Sequence, residues 1–206
     1  MVHMPIPQKY ASTVSFDEII NEVRQCSRCA DHMHHNPRPI IRGFPTATIL
    51  IVGQALGLKA HETGLSFNDP SGKRLRAWLE VDRNEFYDES KIAIMPVGLC
   101  FPGRNKTGGD LPPLKVCAPL WHQRLLPFFP NIKLTILVGS YAQKLYFKRG
   151  MKISLTDTVR AFEEYLPQYF PLPHPSWRNT AWIKRHPWFE SILLPRLRKI
   201  IRENML

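Results

Sequence analysis

The chain has 206 residues, 44% of them hydrophobic and 22% charged, which suits one well-buried globular domain. Its formal net charge is +11, an excess that points to a polyanionic partner, most simply nucleic acid, with a solvated basic surface as the plain alternative. No apolar run approaches the roughly 20 residues of a membrane span, and residues 1–7 lack the apolar core of a secretion signal, so the expectation is a cytoplasmic protein with no membrane role.

Residues 1–12 read as a loose arm on a single domain spanning 1–206. Phe16 to Cys26 carries Phe16, Ile19, Ile20 and Val23 at helical spacing, with Ser15 as its N-cap. Residues 36–45 are Pro-rich and read as a connector. Residues 48–52 form a short, β-branched apolar run ended by Gly53, the pattern of a strand buried on both faces. A Gly-containing loop, Gly53-Gln54-Ala55-Leu56-Gly57, follows. Leu75, Trp78 and Leu79 mark a helix after Pro70, and 91–95 a second strand. Residues 102–113, rich in Gly and Pro, read as a surface-crossing loop that suggests function or mobility more than core. Residues 114–128 then read as a helix with Val116, Leu120, Leu125 and Phe128 inward. Residues 134–138 read as a third strand ended by Gly139, followed by helices from Ser140 and over 155–165. Residues 170–172 are a short last strand. Residues 181–201 are helical, with Phe189, Leu193, Leu197 and Ile201 at intervals of four, broken or kinked by Pro187 and Pro195.

Short buried strands alternating with helices define an α/β fold, a three-layer α/β/α sandwich with a short central parallel sheet. Ligands bind such sheets beyond the carboxyl ends of the strands. Three loops fall there: 53–57, 97–102 and 174–179. The last is Pro173-His174-Pro175-Ser176-Trp177-Arg178-Asn179, where two prolines stiffen the backbone and aim one imidazole.

Four cysteines form a C-x-x-C pair, Cys26 and Cys29, and two later singles, Cys100 and Cys117. A reducing cytoplasm argues against disulfides. The spacing leaves an iron–sulfur cluster, a zinc site and free thiols open, and His32, His34 and His35 behind the pair keep zinc in play.

These motifs together resemble the uracil-DNA glycosylase superfamily, in particular its four-cysteine, iron–sulfur branch (family 4). The family's G-E-A-P-G followed by G-x-P-F is matched by Gly53-Gln54-Ala55-Leu56-Gly57 and Gly64-Leu65-Ser66-Phe67 at the same spacing. Its H-P-S is matched by His174-Pro175-Ser176, and Cys26, Cys29, Cys100 and Cys117 match its cysteines in order and spacing. Leu137-Val138-Gly139 and Ala142 match the family's third strand and the helix after it. The resemblance covers about residues 20–200. It implies a DNA base-excision glycosylase, a monomer acting on uracil or another deaminated base flipped out of DNA. The alternative on the same fold is a catalytically weak nucleic-acid-binding or damage-sensing protein.

The resemblance also implies roles. His174 donates to the departing base, Phe67 stacks on it, and Gly53, Ala55 and Gly57 bring backbone close to it. Ser176, Arg178 and Asn179, with Lys184 and Arg185, face DNA phosphates, while Trp177 either wedges into the vacated space or packs on the fold. The cysteines hold a 4Fe-4S cluster, zinc being the alternative, in a structural role remote from base chemistry. The chain departs from the family at two points. Gln54 stands where family 4 has Glu, so the water-positioning role falls to Glu62, with His61 and Gln54 as rivals. Pro96 stands where the family reads the pyrimidine edge with Asn.

Overall fold

A computed structural model describes residues 14–147 and 150–205; the expected arm at 1–12 lies outside them. Among the described residues, four parallel strands form one sheet: β1 (Ile49–Val52), β2 (Ile92–Ile94), β3 (Leu134–Val138) and β4 (Tyr169–Leu172), in the order β2-β1-β3-β4. Ile51 pairs with Ile94 on one side and Ile136 on the other, and Ile136 pairs with Phe170.

Successive side chains of a strand point to opposite faces, and here both faces are covered. Ile49, Ile51, Ile92, Ile94, Ile136 and Phe170 pack on one face. Against them lie α3 (Pro70–Leu79), α7 (Leu155–Arg160) and α9 (Leu194–Met205). Leu50, Val52, Met95 and Leu137 pack on the other face. That face is closed by α1 (Phe16–Arg24), α5 (Cys117–Leu125) and α6 (Ser140–Phe147). This is the three-layer α/β/α sandwich expected from the alternation of strands and helices. Two short helices, α2 (Leu58–Thr63) and α4 (Arg83–Phe86), flank α3, and α8 (Thr180–Arg185) follows β4.

Local chemistry sets the helix ends. Ser15 and Glu18 form a reciprocal capping box at α1. Asp69 accepts from Gly72 N (2.8 Å) at the start of α3, with Pro70 in the first turn.

Three elements differ from the sequence reading. The helix expected from 114 begins at Cys117, because Pro112 and Pro113 extend the backbone ahead of it, and Val116 is 41% exposed rather than inward. Trp121 and His122 take the inward positions. In the run expected over 181–201 the break at Pro187 is present, with α8 ending at Arg185 and a π-turn, Phe189–Leu193, leading into α9, but Pro195 does not break it and lies at the second residue of α9. Phe189, Leu193, Leu197 and Ile201 are still all buried. Finally, 102–113 does not simply cross the surface. Leu111 N donates to Gly103 O (2.9 Å) and Asn105 N to Gly109 O (2.8 Å), closing a hairpin. The Asn105 side chain accepts from Thr107 N and Gly109 N at its tip.

The chain leaves β1 toward β2, then crosses back to β3 on the other side. Neighbouring loops that diverge in this way open a crevice at the carboxyl ends of β1 and β3.

Candidate active site and candidate metal centre

His174 hangs over that crevice. The end of β4 is tied down first: Leu172 O accepts from Gly139 N (2.9 Å) and from the buried Gln143 side chain (2.9 Å). Pro173 and Pro175 are both buried on either side of the histidine. The Asn179 amide donates to His174 O (2.7 Å), and Arg74 reaches across from α3 to Ser176 O (2.9 Å). Gly139 sits at φ +86°, a left-handed conformation that favours glycine, and lies beside His174, whose Cβ is 3.5 Å from where a Gly139 Cβ would be. Burial pushes the imidazole pKa below its ordinary value, while the charges of Asp69 and Asp110 act in the opposite sense. At neutral pH His174 is therefore a neutral N–H donor.

The loop after β1 is laced to the loop after β2. Val97 N donates to Gly53 O (2.9 Å), Gly98 N to Gln54 O (2.9 Å), and Ala55 bridges Gly98. The Phe67 ring lies against Gly53, its Cζ 3.0 Å from where a Cβ would be. Phe67 itself holds φ +56°, a conformation that costs about 1 kcal/mol or more in a non-glycine residue. Its carbonyl would overlap any side chain at Gly72, so that glycine and the Asp69 cap hold the ring in place.

His61 and Glu62 lie on α2. The His61 ring packs on His35 (centroids 4.6 Å apart) and Phe101 (5.9 Å). Its pKa is lowered by burial first, then by His35 and Arg38. Arg38 donates to the carbonyls of His61 and Glu62, closing the end of α2, and the Glu62 side chain is exposed. The charges of Asp69 and Asp110, two residues the motifs did not single out, act on His174. Asp110 lies on the far limb of the hairpin, with Oδ2 3.5 Å from where a Gly57 Cβ would be.

Trp177 is 76% exposed, with the Arg178 guanidinium 5.9 Å from its ring centre. Arg178, Lys184 and Arg185 are also exposed. The backbone of Ser176 and the amide of Asn179 are spent inside the loop, on Arg74 and His174. Sequence reasoning missed Arg74 as the brace of this loop. It also missed His122, buried under β2. Its Nε2 donates to Pro96 O (3.0 Å), its Nδ1 accepts from Tyr146 OH (3.2 Å), and burial lowers its pKa to about 4. The Pro96 carbonyl thus points back into the core.

Cys26, Cys29, Cys100 and Cys117 line one largely apolar cavity with Met33 and Leu99. Leu99 N donates to Cys117 Sγ (3.3 Å). Burial and mutual repulsion push the Cys100 thiol up to about 12, and burial pushes Cys117 up to about 11. Four thiolates fit there only with a cationic centre to offset their charge. Among the described residues no three His, Cys, Asp or Glu side chains close on one point, as ligands of a single ion do. His35 instead meets Phe101 O (3.0 Å). A sulfur-only set suits an iron–sulfur cluster or a four-cysteine zinc site alike.

A doubly covered parallel sheet, with glycine-bearing loops, a ring against Gly53 and a half-buried imidazole at the carboxyl ends of its strands, defines the class as an α/β sandwich with a crevice at its switch point. The family model for the uracil DNA glycosylase superfamily matches residues 41–198, and the chain belongs to that family. The chain is also similar to the type-4 uracil-DNA glycosylase of Sulfurisphaera tokodaii, 25% identical over 198 residues that cover 92% of this chain and 81% of that protein. Among the described residues no helix is long and apolar enough to cross a membrane.

Proposed function

We propose that the protein is a monomeric DNA glycosylase that hydrolyses the N-glycosidic bond of uracil or another deaminated base flipped out of DNA. The observation that carries this reading is His174, half-buried between two buried prolines after β4 and packed beside Gly139, together with the Phe67 ring against Gly53 at the same end of the sheet. A base must leave the helical stack to be reached, and it is then held by stacking and edge hydrogen bonds. Phe67 offers the ring, and Gly53, Ala55 and Gly57 the close backbone. As the C1′–N bond breaks, its electron pair moves onto the base, and a fixed N–H from His174 meets the charge that develops on a carbonyl oxygen.

Trp177 fills the vacated space, and Arg178, Lys184 and Arg185 lie along phosphates. With proline at 96, no side-chain amide at that position reads the pyrimidine edge. This favours a preference wider than uracil and keeps the damage-sensing alternative distinct. Cys26, Cys29, Cys100 and Cys117 hold a 4Fe-4S cluster, with zinc as the alternative. The centre cross-links the segment after α1 to the loop after β2. That loop also pairs with Gln54 and Ala55, so the centre braces the crevice more directly than the sequence suggested.

The test is single-turnover cleavage of oligonucleotides carrying uracil, hypoxanthine, xanthine or a mismatched base, single- and double-stranded. Release of at least one base is expected. Tight binding to such a lesion without release favours the sensing protein, and neither binding nor release ends both readings.

A further inference from the structure

One limb of the hairpin 103–111 reaches both motif loops. On one side Asp110 Oδ2 lies against Gly57; on the other, Gly109, buried, sits 3.7 Å (measured to where its Cβ would be) from an Arg178 nitrogen. The hairpin is internally bonded rather than slack, with Arg104 paired to Asp110 both as a backbone bridge and as an ion pair at 3.6 Å.

We propose that Asp110 is the catalytic carboxylate of this site, standing in through space for the acidic residue absent at Gln54. The inference rests on the glycosylase reading above. Its chemistry is balanced as follows. The C1′–N bond breaks with its electrons going to the base, and the sugar takes on oxocarbenium character. The Asp110 carboxylate stabilises that cation and holds a water beside it. The water oxygen forms the new bond to C1′, its proton passes to Asp110 and from there through solvent to the departed base anion, and the products are the neutral base, an abasic hemiacetal and the regenerated carboxylate.

Asp69 and Glu62 are the rival carboxylates. Asp69 also acts on His174, but its Oδ1 accepts from Gly72 N as the cap of α3, which ties it to the fold. Glu62 is exposed on α2, and its backbone carbonyl is held by Arg38. Asp110 combines an address against the motif glycine with a side chain still 44% open to the crevice and solvent. Its ion pair with Arg104 is similarly exposed, so substitution there spares the fold.

Asp110→Asn keeps the shape and removes the charge. On the base that the parent releases, it slows single-turnover cleavage on the order of a hundredfold or more, as expected for loss of a positioned acid–base group. Binding to the same oligonucleotide with an uncleavable 2′-fluoro sugar is retained or tightened, because a negative charge leaves a phosphate-facing cleft. Binding to an oligonucleotide carrying a cationic pyrrolidine sugar analogue weakens. Glu62→Gln loses less on each measure. The His174 imidazole, followed by NMR, titrates lower in Asp110→Asn than in the parent. Parental cleavage by Asp110→Asn, or a larger loss in Glu62→Gln, overturns the assignment while leaving the glycosylase reading intact. An unmoved His174 titration overturns the action of Asp110 on His174. A parent that releases no base overturns both.

Discussion

The segment that follows β2 has two ends with opposite chemistry. Near its start, Cys100 lies in an apolar cavity where burial and neighbouring sulfurs drive its thiol up to about 12. Near its end, Asp110 lies 44% exposed, against Gly57 and within reach of the field at His174. The cysteine end cannot carry charge until a cation offsets it, so its chemistry is coupled to folding. The aspartate end carries charge without a buried partner, so its chemistry is free for a substrate. On the two proposals above, one short loop links a site whose loss costs structure to a site whose loss costs rate.

Four perturbations break or sharpen that contrast. The largest effect belongs to the cysteine end. Protein purified without oxygen is expected to be brown, absorbing broadly near about 400 nm, and Cys100→Ser to lose colour, metal and on the order of several kcal/mol of folding free energy. Colourless protein with stoichiometric zinc moves the centre to zinc; neither metal removes it.

At the crevice, His174→Ala is expected to keep DNA affinity and to cleave on the order of a hundredfold or more slowly, because the lost donor acts only as charge develops. Parental cleavage by this variant makes the His174 loop a scaffold turn.

His122 tests the layer between the two ends. Its folded pKa is about 4 against an ordinary 6.5, with burial as the cause. The unfolded chain takes up this proton as pH falls below 6.5 and the folded one only near 4. The contribution is thus fully present above that window and lost as pH falls through it, roughly 3 kcal/mol in all. Denaturant midpoints across the window should fall more steeply for the parent than for His122→Gln, by about one proton's worth of slope. Equal slopes mean His122 is not held neutral.

The smallest effect is expected of Arg178→Ala, which should weaken binding to all DNA sequences alike and reduce the salt slope by about one unit. An unchanged slope places Arg178 off the phosphates.

Much of this architecture was legible because it is written in local periods. β-branched runs ended by glycine mark strands, a Ser15–Glu18 box starts α1, and Asp69-Pro70 is an N-terminal signal that sequence reading passed over. Spacing also made the four cysteines a candidate set, and they do share a cavity. Other features had no local mark. Val116, expected inward, lies ahead of the true start of α5 and is exposed, while His122 is buried. Nothing adjacent to Asp110 signals chemistry; its place depends on a hairpin whose closure needs Gly103 at φ +96° and an Asn105 cap.

The sequence by itself determined the layers and the strand–helix alternation, since side-chain periodicity and capping act over a few residues. It also singled out the imidazole between two prolines. Only the tertiary structure decided which acids act on that imidazole and how it is braced. Arg74 comes from α3, Gln143 from α6 and Asp110 from the loop after β2, and each reaches the His174 segment or its field only through the packed sheet. Electrostatic influence falls with distance through space, not along the chain, so a residue's charge acquires its role only once the fold has set those distances.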